Sequence, residues 1–119
     1  MRNAFRHGDA GRNHCSSPEE PFKDLLYAAP ARGVERRIAP HPSLKLQSLM
    51  RQLVRAALPL GEGVILDPVM GSGSTIAAAS ALGLRSIGIE RNDEYYRLAA
   101  GAVPRLAEIV VNDRNGAEE

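Results

Sequence analysis

The sequence predicts an α/β chain in which a short parallel sheet is flanked by helices. Three observations predict it. Gly63-Val64-Ile65-Leu66-Asp67 is a short apolar run after a turn, and Arg85-Ser86-Ile87-Gly88-Ile89-Glu90 is a second strand of similar length. Between them lie a tight glycine loop, Met70-Gly71-Ser72-Gly73-Ser74, and an Ala-rich stretch from Thr75 to Leu82 that favours helix. A strand, a helix and a strand joined this closely imply a parallel pair with a right-handed crossover.

The elements follow in order. Residues 1–20 are polar and lack periodicity, so they are expected to be poorly ordered. Phe22, Leu25, Leu26 and Ala29 recur at helical spacing and suggest a short helix over 21–29. Pro30, Pro40 and Pro42 make residues 30–42 an extended connector. Ser43 can cap a helix running to Ala57, with Leu46, Leu49, Met50, Leu53, Val54 and Ala57 as its apolar positions. Pro59 and Gly61 end it. Gly83 closes the Ala-rich helix. Asn92 can cap a last helix that starts at Asp93, with Pro104 kinking it or beginning another turn. The tail from Asn112 to Glu119 is expected to fray.

This divides the chain into 1–37, a poorly ordered region, 38–111, which carries the α/β unit, and the tail 112–119. Two parallel strands do not make a domain, because parallel sheets need both faces covered. The unit is expected to bury Ile65, Leu66, Ile76, Ile87 and Ile89, and to leave an apolar sheet edge or face that needs a partner.

With 119 residues the chain is one small domain at most. Its net charge of +1 neither supports nor excludes nucleic acid, since a local basic face can bind phosphates within a balanced total. Arg36-Arg37 reads as solvated surface ahead of a phosphate clamp. The single cysteine, Cys15, forbids an internal disulfide, which suits a reducing cytoplasm. No apolar stretch has the length of a membrane span, so a cytoplasmic chain with no membrane partner is expected. His7, His14 and Cys15 fall short of a structural metal set and read as loop residues, so no metal is expected.

The chemistry gathers at the glycine loop. Gly71 and Gly73 let the backbone turn tightly and bring a ligand near its amides. The start of the following helix offers unpaired N–H groups and partial positive charge. Glu90 ends the second strand, 23 positions after Asp67. An acid about 20 residues beyond such a loop can accept hydrogen bonds from ribose hydroxyls. No Lys follows Gly73, which argues against a P-loop. Ile76 stands where a dinucleotide fingerprint has its third glycine, and Asp67 would repel a pyrophosphate. S-adenosylmethionine fits better. It offers an ammonium to Asp67, a carboxylate to the helix start and a ribose to Glu90.

These residues carry a resemblance. Asp67-Pro68-Val69-Met70-Gly71-Ser72-Gly73-Ser74-Thr75 resembles the S-adenosylmethionine motif of bacterial DNA amino-methyltransferases, usually Asp-Pro-Phe-x-Gly-Ser-Gly-Thr-Thr. Ile87-Gly88-Ile89-Glu90-Arg91-Asn92-Asp93-Glu94-Tyr95-Tyr96 is similar to the family's Ile-Gly-Ile-Glu-x-x-x-x-Tyr. His41-Pro42-Ser43-Leu44-Lys45-Leu46-Gln47 looks like its His-Pro-x-x-Lys-Pro segment. The three cover about residues 38–109, in the order of those N6-adenine and N4-cytosine enzymes whose catalytic half comes first.

The resemblance implies a partial Rossmann-like methyltransferase fold and S-adenosyl-L-methionine as cofactor. It places Asp67, Pro68, Val69, Gly71, Ser72, Gly73 and Ser74 at the cofactor's methionine end and Glu90, with Arg91 beside it, at the ribose. His41 and Lys45 lie beside the pocket. Val69 replaces the usual Phe and Leu46 the usual Pro. The family's catalytic Asp/Asn/Ser-Pro-Pro-aromatic motif has no counterpart, because the chain contains no Pro-Pro, so no catalytic residue is assigned. That motif accepts the hydrogens of an exocyclic amine and stacks on the flipped base.

The resemblance implies DNA as partner, with methyl transfer to adenine N6 favoured over cytosine N4. The chain then reads as the C-terminal cofactor section of such an enzyme, inactive alone, and either a truncated gene product or one subunit of a split enzyme, with a separate catalytic-half polypeptide or a homo-oligomer as the candidate partner. A non-catalytic binding module and a degraded relic are the alternatives. A nicotinamide-binding fragment is weaker, for want of a glycine at Ile76.

Overall fold

The computed structural model of the chain describes residues 4–7 and 33–111. The expectations for 21–29 and 112–119, and for His14 and Cys15, lie outside the described residues. In chain order the elements are β1 (Ala4–His7), α1 (Gly33–Ile38), α2 (Gln47–Ala57), β2 (Val64–Asp67), α3 (Ser74–Ala81), β3 (Arg85–Ile89) and α4 (Asp93–Ala107). The α/β class is as the sequence predicts.

The sheet has the order β1-β3-β2. β2 and β3 form the expected parallel pair, with Ile65 opposite Ser86 and Leu66 opposite Ile87. β1 adds a third, antiparallel strand with Phe5 opposite Gly88. It lies in the stretch read from composition as poorly ordered. A strand on a sheet edge is held through its backbone, so it needs no periodicity of its own.

α3 is the centre of the packing. Ile76, Ala77, Ala78 and Ala79 are all fully buried. A helix apolar on every side belongs in an interior, and α3 packs on α2, on α4 and on the sheet. Two apolar clusters result. One joins Met70, Ile76 and Ala77 to Ala99, Ala102, Val103 and Leu106 of α4, and the other joins Ala78, Ala79 and Leu84 to Val54 of α2.

Several expectations are corrected. Residues 33–38, inside the expected extended connector, form α1, which packs on α4. Pro30 and Pro40 flank this segment and leave its interior free to coil. α2 starts at Gln47, not after Ser43, and its N-cap residue Leu46 makes no side-chain cap bond. The cap comes from elsewhere, since the Gln47 N–H donates to Glu35 Oε1 at 2.8 Å. A buried carboxylate from α1 thus takes an orphan donor of the α2 start, where negative charge is favoured.

The buried residues of α2 are also different. They are Gln47, Arg51 and Val54, whereas Leu53 is 42% exposed and Ala57 is exposed. In the sheet, Ile76 is buried as expected, but Ile65, Ile87 and Ile89 are only partly covered and Leu66 is 60% exposed. Ser86 and Gly88 of β3 are buried on the side of α3, and Val64 and Leu66 of β2 point to the other side, which the described residues leave open. This is the apolar face the sequence led one to expect. Pro104 lies inside α4 on its exposed side and does not end the helix. The Asn92 cap is as expected, its side chain accepting from the N–H groups of Glu94 and Tyr95.

Candidate functional site

The site is built where β2 and β3 end side by side. Parallel register brings Asp67 opposite Gly88, so both strands release their chains at the same edge. Leaving β2, Asp67 Oδ1 accepts the Val69 N–H at 3.1 Å and folds the chain back over a short turn. The Met70 N–H then donates to Ile89 O at 3.0 Å, which anchors the loop on β3. The Gly73 N–H donates to Met70 O at 2.8 Å and closes the turn into α3.

Gly71 and Gly73 have φ of 54° and 83°, in the left-handed region that favours glycine. Gly73 has a second constraint. A Cβ there would fall 2.6 Å from Val103 Cγ2 and 3.2 Å from the Ala99 Cβ, so the loop can lie on α4 only without a side chain. Gly73 is the N-cap of α3 and supplies no side-chain bond to the first turn. The α3 start therefore keeps donor capacity and a partial positive charge beside the loop. Ser72 and Ser74 are buried, with their hydroxyls 3.2 Å apart, so what the loop presents outward is mainly backbone.

Glu90 is the link between the loop and the next helix. Its Oε2 accepts the Gly71 N–H at 3.0 Å and its Oε1 accepts the Asn92 N–H at 2.7 Å. Each carboxylate oxygen still has a second lone pair for a ligand hydroxyl.

His41 closes another side. Its Nδ1 accepts the Ser43 N–H at 3.0 Å, so the neutral ring carries its proton on Nε2. The ring lies against Gly71, where a Cβ would fall 3.2 Å from Cε1, and it meets Tyr95 edge-on with centroids 4.3 Å apart. Nε2 is buried and has no hydrogen-bond partner among the described residues. A buried donor without an acceptor is costly, and this one lies beside the loop.

The structure therefore brings Asp67, Gly71, Gly73 and Glu90 together through backbone and side-chain bonds, and lays the His41 ring against Gly71. Pro68 and Val69 form the exposed rim of the turn, with Val69 81% exposed. Lys45 and Arg91 also have exposed side chains. Sequence reasoning missed Tyr95 as the ring against His41, and the buried set Glu35, Gln47 and Arg51 behind the loop. The signal was present in α2, where Gln47, Arg51 and Val54 share one helical face. The described residues contain no group of three or more His, Cys, Asp or Glu able to hold a metal ion. None of their helices is long and apolar enough to cross a membrane.

A family model described as DNA methylase, covering N6- and N4-type enzymes, matches residues 9–101. The chain belongs to the DNA methylase family. The match contains the loop at 67–75, the acidic strand end at Glu90 and the His41 segment, the parts that form the site. Among curated DNA methylases, the type II methyltransferase M2.DpnII of Streptococcus pneumoniae is 36% identical over 78 residues, 66% of this chain and 29% of that protein. The type II methyltransferase M.ScaI of Streptomyces caespitosus is 33% identical over 87 residues, 73% of this chain and 28% of that protein. The chain thus spans less than a third of the length of these methylases. No solved structure matches the chain significantly.

Proposed function

We propose that the chain is the cofactor-binding section of a DNA amino-methyltransferase, with a partial Rossmann-like fold that holds S-adenosyl-L-methionine. The observation that carries this reading is the joined pair of loop and acid. The Gly71 amide and the Glu90 carboxylate are bonded to each other at the uncapped start of α3. That arrangement sets an acceptor for ribose hydroxyls next to donors for a carboxylate. Asp67, half-buried at the loop entrance, suits an ammonium. The buried Nε2–H of His41 beside Gly71 supports the same reading, because a polar ligand would give it an acceptor.

When bound, the cofactor supplies an electrophilic methyl group on a sulfonium. The residues of this chain bind and orient it. They do not activate the acceptor, since no Pro-Pro-aromatic segment is present to receive the hydrogens of a base amine. That role belongs to a catalytic half, on a separate polypeptide or elsewhere in a longer one. By family, the acceptor is an exocyclic amine of DNA, with adenine N6 favoured over cytosine N4.

Calorimetry on the purified chain tests the reading, with Asp67→Ala and Glu90→Ala as controls. Binding of S-adenosylmethionine that each substitution weakens by about tenfold or more, roughly 1.4 kcal/mol, supports it. A folded chain that does not bind S-adenosylmethionine refutes it.

A further inference from the structure

We propose that Gln47 is a positioning residue of the glycine loop and sets its affinity for the amino-acid end of S-adenosylmethionine; this rests on the functional reading above. Among the described residues Gln47 is the largest polar side chain that is fully buried, at 0% exposure. It begins α2, yet its amide reaches across to the first residue of α3, where Nε2 donates to Ser74 O at 2.9 Å. Ser74 follows Gly73 directly, so this bond fixes the helix start on which the loop ends.

The amide cannot turn over. Its Oε1 accepts from Arg51 Nε at 3.4 Å, and a flip would set donor against donor there and acceptor against acceptor at Ser74. Arg51 is itself held, with Nη2 donating to Leu106 O at 3.2 Å and Ala107 O at 3.3 Å. The Gln47 backbone is held from α1 by Glu35. All four helices of the described residues thus meet in one chain of hydrogen bonds whose end is the loop. A leucine would fill this place in an apolar stripe without the cost of burying an amide. The amide lies behind the loop, out of the ligand's reach, and acts through Ser74.

A split between two ligands separates positioning from bulk stability. The loop faces the amino-acid end of the cofactor, and Glu90 faces the ribose. The full chain is titrated with S-adenosylmethionine and with adenosine, as wild type, Gln47→Met and Gln47→Glu. Methionine keeps the volume and lacks the donor, whereas glutamate keeps the acceptor for Arg51 and lacks the donor. The expected result is an affinity for S-adenosylmethionine about tenfold weaker in either variant, with adenosine affinity changed less than about twofold. Equal loss for both ligands, no loss for either, or failure of both variants to fold overturns the proposal and leaves Gln47 a structural tie. A wild-type chain that is folded and binds no S-adenosylmethionine overturns the functional reading, and this proposal with it. Unchanged binding in the variants overturns this proposal alone.

Discussion

Glu90 accepts the amide hydrogen of Gly71 at 3.0 Å, so the acid that ends β3 is bonded to the loop that follows β2. The same carboxylate takes the Asn92 N–H at 2.7 Å and so also fixes the entry to α4. A group that makes two charge-assisted bonds contributes to stability in its own right. Glu90→Gln turns one acceptor into a donor and is expected to cost about 1 kcal/mol, whereas Glu90→Ala removes both bonds and costs about 2 kcal/mol. Urea unfolding of the two variants checks this. Equal midpoints for wild type and Glu90→Ala would mean that the loop is held by its other bonds alone.

Gly88 has a packing reason to be glycine. A Cβ there would lie 2.3 Å from Met70 Sδ and 2.7 Å from Ile76 Cγ1. Ile76 is fully buried and has no room to withdraw. Gly88→Ala is expected to destabilise by about 2 kcal/mol, in the range of overpacked cores. Met70→Ala in the same chain should recover part of that loss by removing the nearer obstacle. A thermal or urea double-mutant cycle would then give a favourable coupling. Simple additivity would mean that the clash is relieved elsewhere.

The parts of the fold that were legible are those set by local chemistry. Gly71, Gly73 and Glu90 announce a turn and an acid, and Asn92 caps α4 through atoms only two and three residues away. The α2 cap is not legible locally, because Glu35 reaches Gln47 across 12 positions while Ser43 is the nearer capping type. β1 went unseen because its pairing depends on a distant edge of β3. The exposure of Leu66 is not legible because the apolar run Val64-Ile65-Leu66 says that burial is favourable, but not which face another layer covers.

That last point has a measurable consequence. Leu66 is 60% exposed on the open side of β2, whereas Ile76 is fully buried in α3. Leu66→Thr is expected to change the stability of the chain by less than about 0.5 kcal/mol, and Ile76→Ala to cost about 2–5 kcal/mol. If the open face is covered by a catalytic half in the working enzyme, Leu66→Thr should instead weaken that association. Urea unfolding of the chain alone supplies the first comparison. A cost of several kcal/mol for Leu66→Thr there would show that the isolated chain already covers the face, for instance by self-association.

Arg51 joins the end of α4 to α2, with its guanidinium donating to Leu106 O and Ala107 O at 3.2 and 3.3 Å. Cations at a helix C-terminus are stabilising, and this one is only 8% exposed. Arg51→Met keeps much of the stem volume and removes every donor. It removes the guanidinium donors from Ala107 O and Gln47 Oε1, whereas Leu106 O keeps the Ile109 N–H, for an expected cost of about 2–3 kcal/mol. Arg51→Lys should recover only part of this, because a single ammonium cannot reproduce the planar fork. Screening separates the buried role from a surface one. The cost of Arg51→Met should be nearly the same at roughly 0.05 M and 0.5 M salt, since a buried charge is little screened. A cost that vanishes at the higher salt would place the guanidinium in solvent and break the chain of bonds from α4 to Gln47.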